Sequence, residues 1–269
     1  MDEQVSWWNY ANAYDLLCKI NPYYQDNIES FSRWLASLEF NEPINFCEVG
    51  AGTGNFIEAA SSVLSDASFF HWDWNSTMNE IASHKYTNAR IEVEIQNTDI
   101  RDFPGDLPRQ DVLLAVNALY TFPNPHEVLR RAYDLLKPGG WFYTIDLGRP
   151  LNTRAWFTDL VCQNVKTIGV VETVKTTYKL RHAVTQNRKI DRSQSDGNYW
   201  HHEPEEFQHW LEEVGFQVLE ADTCYRDVCD RAICQKPTSA ITVDLEGMPE
   251  PEREEQTNQL PTQSTSQRA

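Results

Sequence analysis

The strongest chemical signal in the sequence is the run Glu48-Val49-Gly50-Ala51-Gly52-Thr53-Gly54. It follows an apolar stretch, Ile44 to Val49, and opens a helix-like one over 55–64. Glycines at alternate positions let a backbone adopt positive φ and approach a ligand closely. Amides at the start of a helix point at whatever binds there. Alone, the pattern suits any nucleotide, or simply a tight strand-to-helix turn. Glu48 narrows the choice, because a carboxylate two residues before the first glycine repels a pyrophosphate and attracts an ammonium group. Asp73 ends the next apolar run and can accept both hydroxyls of a ribose in a bidentate way. The two acids together point to adenosine joined to an amino acid, in preference to a dinucleotide.

Groups able to move a proton are fewer. Tyr120 follows the fourth apolar run, where it serves either packing or function. His201 and His202 precede a helix-like stretch, and His126 sits at a helix start, where the dipole lowers an imidazole's proton affinity. Surface or capping roles compete with catalysis for all three histidines. The six cysteines are spread through the chain and read as reduced thiols. Cys224, Cys229 and Cys234 recur every five residues, a spacing too wide for a zinc knuckle, and no metal site is expected.

These residues need a scaffold that brings them together. Short apolar runs at 44–49, 67–73, 91–95, 111–117 and 141–147 read as strands, separated by helical patterns at 55–64, 76–84 and from Pro125 onward. Asn124 can cap that last helix, with Pro125 at its first position, and Lys137-Pro138-Gly139-Gly140 ends it. A helix over 204–214 leads to two strands, 216–221 and 231–235, joined too tightly for a crossover and hence antiparallel. The expected fold class is α/β: a doubly wound, seven-stranded, mostly parallel sheet with an antiparallel last strand, helices on both faces and a helical cap. Such sheets bind ligands beyond the carboxyl ends of their strands, where strand order reverses. Residues 1–40 read as an N-terminal helical lid broken at Asn21-Pro22, and 41–236 as the main domain. Within it, the aromatic-bearing segment 151–200 reads as a cover over the substrate, or as ordinary helix packing. From Pro237 onward Thr, Ser, Gln, Pro and Glu dominate, so 237–269 reads as a disordered acidic tail.

From Ile44 to Gln235 the chain resembles the class I, Rossmann-like S-adenosylmethionine-dependent methyltransferases. It is most similar to the small-molecule group around the ubiquinone/menaquinone methyltransferases. Glu48 to Gly54, His71 to Met78, Asn97-Thr98-Asp99-Ile100, Asp111 to Pro123, Leu135 to Gly140 and Glu205 to Phe216 match the family's motifs in order. The resemblance implies S-adenosyl-L-methionine as cofactor and S-adenosyl-L-homocysteine as product. Gly50, Ala51, Gly52 and Gly54 would then line the loop under the methionine portion, with Glu48 and Thr53 at its ammonium and Asn117 near the same end. Asp73 would bind ribose. Trp74 and Met78 would flank adenine or pack in the core. Asp99 would accept from the adenine amino group or serve as a turn residue, and Ile100 would offer an amide. Tyr14 would fold over the cofactor or pack its helix. The family has no universal catalytic residue, so Tyr120, His201 and His202 remain the candidates.

Composition limits the acceptor. With 23 Lys and Arg against 40 Asp and Glu, the net charge of −17 repels phosphate backbones, so a nucleic-acid partner is not expected. No apolar run approaches the roughly 20 residues that span a bilayer, and the Met1-Asp2-Glu3 start carries no leader pattern, so a cytoplasmic enzyme with a small, aromatic or apolar acceptor is expected. Three rivals stand beside that reading: a nicotinamide-dependent oxidoreductase, which prefers G-x-G-x-x-G to the G-x-G-x-G found here; a peptide or protein methyltransferase; and a non-catalytic binder of the same cofactor.

Overall fold

The computed structural model describes residues 7–102 and 108–238. The acidic tail expected beyond Pro237 lies, from residue 239 on, outside the described residues. Seven strands form one sheet in the order β3-β2-β1-β4-β5-β7-β6. They are β1 (Ile44–Val49), β2 (Ala67–Trp72), β3 (Val93–Gln96), β4 (Gln110–Val116), β5 (Leu136–Leu147), β6 (Gln217–Cys224) and β7 (Cys229–Gln235). β7 runs antiparallel to both its neighbours, and the other pairings are parallel. The order reverses between β1 and β4, so the loops that leave these two strands flank the switch point.

Strand residues alternate between two apolar layers, as a pleated sheet buried on both faces requires. On β4, Val112, Leu114 and Val116 join one core, while Leu113 and Ala115 join the other. The first core is closed by α2 (Pro22–Ala36), α3 (Asn55–Ser61) and α4 (Ser76–Ala89), through Phe31, Leu35, Phe56, Ile57, Ala82 and Tyr86. The second is closed by α5 (Pro125–Leu135) and α8 (Pro204–Val214), through Val128, Leu129, Phe207 and Leu211. A third cluster joins α1 (Trp7–Ile20) to α6 (Thr153–Lys179) and α7 (Arg181–Ser195), built from Tyr10, Leu17, Leu151, Trp156, Leu160 and Ala183. Met78 of α4 belongs to that cluster, so it ties this helical layer to the switch-point side of the sheet.

Several boundaries differ from the sequence reading. Lys137 to Gly140 forms no turn but the start of β5, where Gly139 N–H donates to the Lys236 carbonyl at 2.8 Å and Lys236 N–H to the Gly140 carbonyl at 2.9 Å. Pairing with the end of β7 outweighs the local turn preference, because unpaired backbone groups are costly beside a core. Helix α4 continues past residue 84 to Ala89. Its later turns are polar apart from Tyr86, which is buried on the same face as Ala82. The cap of α5 forms as expected, with Asn124 Oδ1 accepting from Glu127 N–H at 3.3 Å. Among the described residues no helix is long and apolar enough to cross a membrane.

Candidate functional site

At the switch point β1 opens into the glycine run, whose backbone turns back under β2. The amides of Gly50 and Ala51 both donate to the Trp72 carbonyl, at 2.7 and 3.2 Å, and Gly54 N–H donates to the Ala51 carbonyl at 2.9 Å. Gly50 and Gly52 take φ of 65° and 56°, the left-handed region that L side chains disfavour. A Cβ at Gly50 would lie 2.6 Å from the Ala118 methyl, and one at Gly54 would overlap the Tyr86 hydroxyl. At Gly52 a Cβ would meet no protein atom within 4 Å. Gly50 and Gly54 are therefore required by the protein itself, whereas Gly52 faces open space.

Two carboxylates border that space. Asp73 is almost buried, and its two oxygens each accept one amide, Oδ2 from Gly52 and Oδ1 from Asn75, both at 2.8 Å. Each oxygen keeps a further lone pair for an incoming donor. Burial raises the Asp73 pKa, and the amides of Asn75 and Gly52 work against that rise. The strand end is held in place by a polar chain behind it. His71 contacts Tyr86 Oη and Asn79 Oδ1 at 2.9 Å each, and Asn79 Nδ2 donates to the Asp73 carbonyl and to Asn97 Oδ1 at 2.9 Å each. Burial lowers the His71 pKa to about 4, so it is neutral and structural. Glu48 is buried at 3% exposure, and its Oε2 has no hydrogen-bond partner. Burial, then the nearby Asp73 charge, pushes its pKa well above the usual carboxylate range. A buried carboxylate oxygen without a donor is costly unless a ligand supplies one.

The cavity these groups border is lined on the sequence-expected side by Tyr14, Glu48, Gly50, Ala51, Gly52, Asp73, Trp74, Met78, Asn117 and Tyr120. Asn117 sits at the end of β4 with φ 51°, an uncommon conformation for a residue with a side chain, and its amide donates to the Ile145 carbonyl at 2.6 Å. The cavity suits the expected cofactor: an orphaned carboxylate oxygen for an ammonium, an open cradle at Gly52, and a second acid with free lone pairs for a diol. S-Adenosylmethionine carries both the ammonium and the ribose diol that these groups would accept from.

Other expected residues stand elsewhere. Thr53 is fully buried, with its hydroxyl hydrogen-bonded to Asp15 of α1, and neither it nor Gly54 lines the cavity. Asp99 is clamped by Arg101, through the guanidinium at 2.7 and 3.0 Å and the backbone amide at 2.9 Å, which satisfies both carboxylate oxygens. Ile100 is buried in the second core, and neither residue is part of the cavity wall. His201 is exposed outside the wall, and His126 packs on the Trp210 ring at a centroid distance of 3.5 Å.

His202 is buried behind the cavity between two carboxylates, with Nε2 3.3 Å from Asp146 Oδ2 and Nδ1 2.9 Å from Asp230 Oδ2. Arg149 holds Asp230 from the other side with two contacts of 2.7 Å. Burial disfavours the imidazolium, yet Asp146 and Asp230 outweigh it and raise the His202 pKa to about 9. A histidine already protonated at neutral pH is a poor base. Its role is to brace: Asp146 Oδ1 in turn accepts from Tyr120 N–H at 3.2 Å, fixing the cavity wall. The unfolded-state pKa is about 6.5, below the folded value of about 9. His202 therefore stabilises the fold fully below pH ~6.5, and this contribution is lost as pH rises through ~9. We expect the melting temperature to fall between pH 7 and 10 in the native protein, with a clearly shallower fall in His202→Gln. Equal slopes in the two proteins would refute the brace.

The rest of the wall escaped the sequence reading. Tyr10, Leu17 and Cys18 of α1, Asn21 and Tyr24 at the start of α2, Asn187 and Ile190 of α7, and Tyr225 and Cys229 around the β6–β7 turn are among its residues. Tyr10 Oη donates to Asn187 Oδ1 at 2.8 Å across the helical layer. Burial pushes the hydroxyls of Tyr10, Tyr14, Tyr24, Tyr120 and Tyr225 well above their usual range, so all five are neutral donors.

Comparison with known proteins gives the family. A family model described as a methyltransferase domain matches residues 19–221. A hybrid PKS-NRPS synthetase from Emericella nidulans is 28% identical over 130 residues, covering 46% of this chain and 3% of the synthetase. A ubiquinone biosynthesis O-methyltransferase from Chromobacterium violaceum is 26% identical over 156 residues, covering 58% of this chain and 62% of that enzyme. The chain thus spans less than two thirds of either relative's length. Among solved structures, the magnesium protoporphyrin IX methyltransferase from Synechocystis with bound SAH superposes with a TM-score of 0.55 at 10% identity, over 81% of this chain and 86% of that one. At that identity the likeness is one of fold.

Proposed function

The chain belongs to the methyltransferase-domain family, and from that premise we propose that it transfers the methyl group of S-adenosylmethionine to a small-molecule acceptor. The observation that carries this reading is the buried, donor-less Glu48 Oε2 beside the open cradle at Gly52. When bound, the cofactor supplies an electrophilic methyl group on a sulfonium. Glu48 holds its ammonium, Asp73 its ribose diol, and Trp74 and Met78 flank its base. The tyrosine-rich wall excludes water and positions the acceptor. Tyr120 acts there as a donor, because its hydroxyl stays protonated at neutral pH. The two wall carboxylates are committed to the cofactor, so the acceptor brings its own available lone pair or carbanion. A wall of aromatic rings and neutral amides suits a flat or apolar molecule.

Glu48 gives a direct test of cofactor recognition. In the free protein its raised pKa favours the neutral carboxyl. An ammonium stabilises the charged form, so binding releases a proton and affinity rises with pH. Calorimetry of S-adenosylhomocysteine in buffers of different ionisation enthalpy should report that release near neutral pH. Glu48→Gln should abolish it and weaken binding about tenfold, the difference between a charge-assisted and a neutral hydrogen bond. Because the substitution replaces a carboxyl that burial already favours as neutral with a neutral amide of the same shape, the melting temperature should not fall. Unchanged affinity in Glu48→Gln would contradict the assigned role.

The activity itself is tested by incubating the protein with S-adenosylmethionine and panels of phenols, amines and β-dicarbonyl compounds, scored by S-adenosylhomocysteine release. Turnover with a small acceptor is the expected result. Thermal stabilisation by NAD but not by S-adenosylhomocysteine would overturn the proposal.

A further inference from the structure

We propose that Cys224 and Cys229 form a reversible disulfide at the cavity wall, oxidised by a hydroperoxide, that weakens cofactor binding. The two cysteines close the β6–β7 hairpin as directly opposed partners, with four residues between them. Directly opposed residues of an antiparallel pair have Cβ atoms roughly 4.5–5.5 Å apart, close to the reach of a disulfide. Cys234, the third member of the five-residue series, lies in the other core layer from Cys229 and cannot join them.

The two thiols differ in access. β6 is the edge strand of the sheet, and Cys224 is partly exposed on it. Cys229 is buried and lines the cavity, and its Sγ is 3.7 Å from Asn117 Oδ1 at the end of β4. Its contact with Cys224, and then burial, raise the Cys229 pKa well above the usual thiol range and keep the thiol protonated. The hydroperoxide therefore reacts at Cys224. The Cys224 sulfur takes one oxygen to become a sulfenic acid, and the O–O bond breaks to release water from hydrogen peroxide. The Cys229 sulfur then attacks the sulfenic sulfur, an S–S bond forms, and a second water leaves. In total two thiols lose two electrons and two protons to the peroxide.

The loop between the thiols has reason to move. Tyr225, Arg226 and Asp227 all take left-handed φ, at 50°, 63° and 60°, a conformation costing about 1–2 kcal/mol for each residue with a side chain. It is held by contacts: Asn21 Nδ2 donates to Tyr225 Oη, Arg149 Nε donates to the Asp227 carbonyl at 2.8 Å, and Thr223 Oγ1 donates to Asp227 Oδ1 at 2.8 Å. Tyr225 lines the same cavity as Cys229. Drawing the Cys229 sulfur onto Cys224 removes the S–H that reaches Asn117 and shifts Tyr225 with the loop.

The sequence makes the product easy to read. Trypsin cleaves after Arg226, so Cys224 falls in the peptide 193–226 and Cys229 in 227–231. The full chain carrying Cys162→Ser, which removes the one exposed cysteine among the described residues, is treated with hydrogen peroxide, alkylated with N-ethylmaleimide and digested. The expected result is a joined pair of these two peptides that dithiothreitol separates, together with at least a threefold weaker S-adenosylhomocysteine affinity that dithiothreitol restores. Cys224→Ser in the same background should show neither change. Quantitative alkylation of Cys229 after peroxide treatment would overturn the proposal, as would a joined pair with unaltered affinity. The disulfide does not rest on the cofactor reading, whereas the affinity change does. If the reduced protein fails to bind S-adenosylhomocysteine, the cofactor reading fails while the peptide pair still judges the disulfide.

Discussion

Gly52→Val is expected to abolish S-adenosylhomocysteine binding in a protein that still folds. The loop takes φ 56° at Gly52, and a Cβ there meets no protein atom within 4 Å. The main cost to folding is the left-handed backbone, about 1–2 kcal/mol and somewhat more for a β-branched residue. That is small against the roughly 5–15 kcal/mol that stabilises a typical domain. The space the side chain fills is the space the cofactor needs. Gly52→Ala separates strain from overlap, since it carries most of the same strain with less volume, and should bind more weakly than the native protein but better than the valine variant. Gly50→Ala behaves differently, because its methyl would press on Ala118 at 2.6 Å and damage the fold itself. Circular dichroism and calorimetry on the three variants test the distinction. Native affinity in Gly52→Val would mean the ligand lies elsewhere.

Asp73→Ala should weaken S-adenosylhomocysteine binding about 100-fold. Two charge-assisted hydrogen bonds to a ribose diol, at roughly 1.5 kcal/mol each, make about 3 kcal/mol, and 1.4 kcal/mol is a factor of ten. The substitution also removes the acceptor of the Gly52 and Asn75 amides, so the melting temperature should fall. A loss of affinity through loop disorder is told apart by a ligand cycle. The native protein should bind the 2′,3′-dideoxy analogue of S-adenosylhomocysteine about as weakly as Asp73→Ala binds S-adenosylhomocysteine, and Asp73→Ala should no longer discriminate between the two ligands. Discrimination retained in the variant would remove Asp73 from the ribose site.

What could be read from the sequence follows the range of the forces involved. Glu48, the glycine run and Asp73 declare themselves because their chemistry is local to two strand ends, and the strands show as short apolar runs since both faces of the sheet are buried. Elements whose fate depends on distant partners were misread. The Lys137–Gly140 stretch looks like a turn until Lys236, about a hundred residues away, pairs with it. His202 looks like a candidate base until the fold sets it between Asp146 and Asp230. Asp99, read as an adenine acceptor or a turn residue, meets a local competitor instead, since Arg101 two residues on clamps it. The far wall of the cavity, from Tyr10 to Asn187 and Tyr225, joins three segments by tertiary contact alone, and no spacing in the chain announces it. Asn21, read from the sequence only as part of the break before Pro22, makes no capping bond in the fold and turns its side chain to Tyr225 instead.

The account rests on where the sulfonium amino acid sits. A crystal structure of the full chain with S-adenosylhomocysteine tests it most directly. The account predicts the ammonium within hydrogen-bond distance of Glu48 Oε2, the chain of the amino acid against Gly50–Gly52 and the ribose hydroxyls on Asp73. A ligand bound away from these residues, or one whose ammonium contacts a group other than Glu48 while Oε2 stays without a donor, would contradict it.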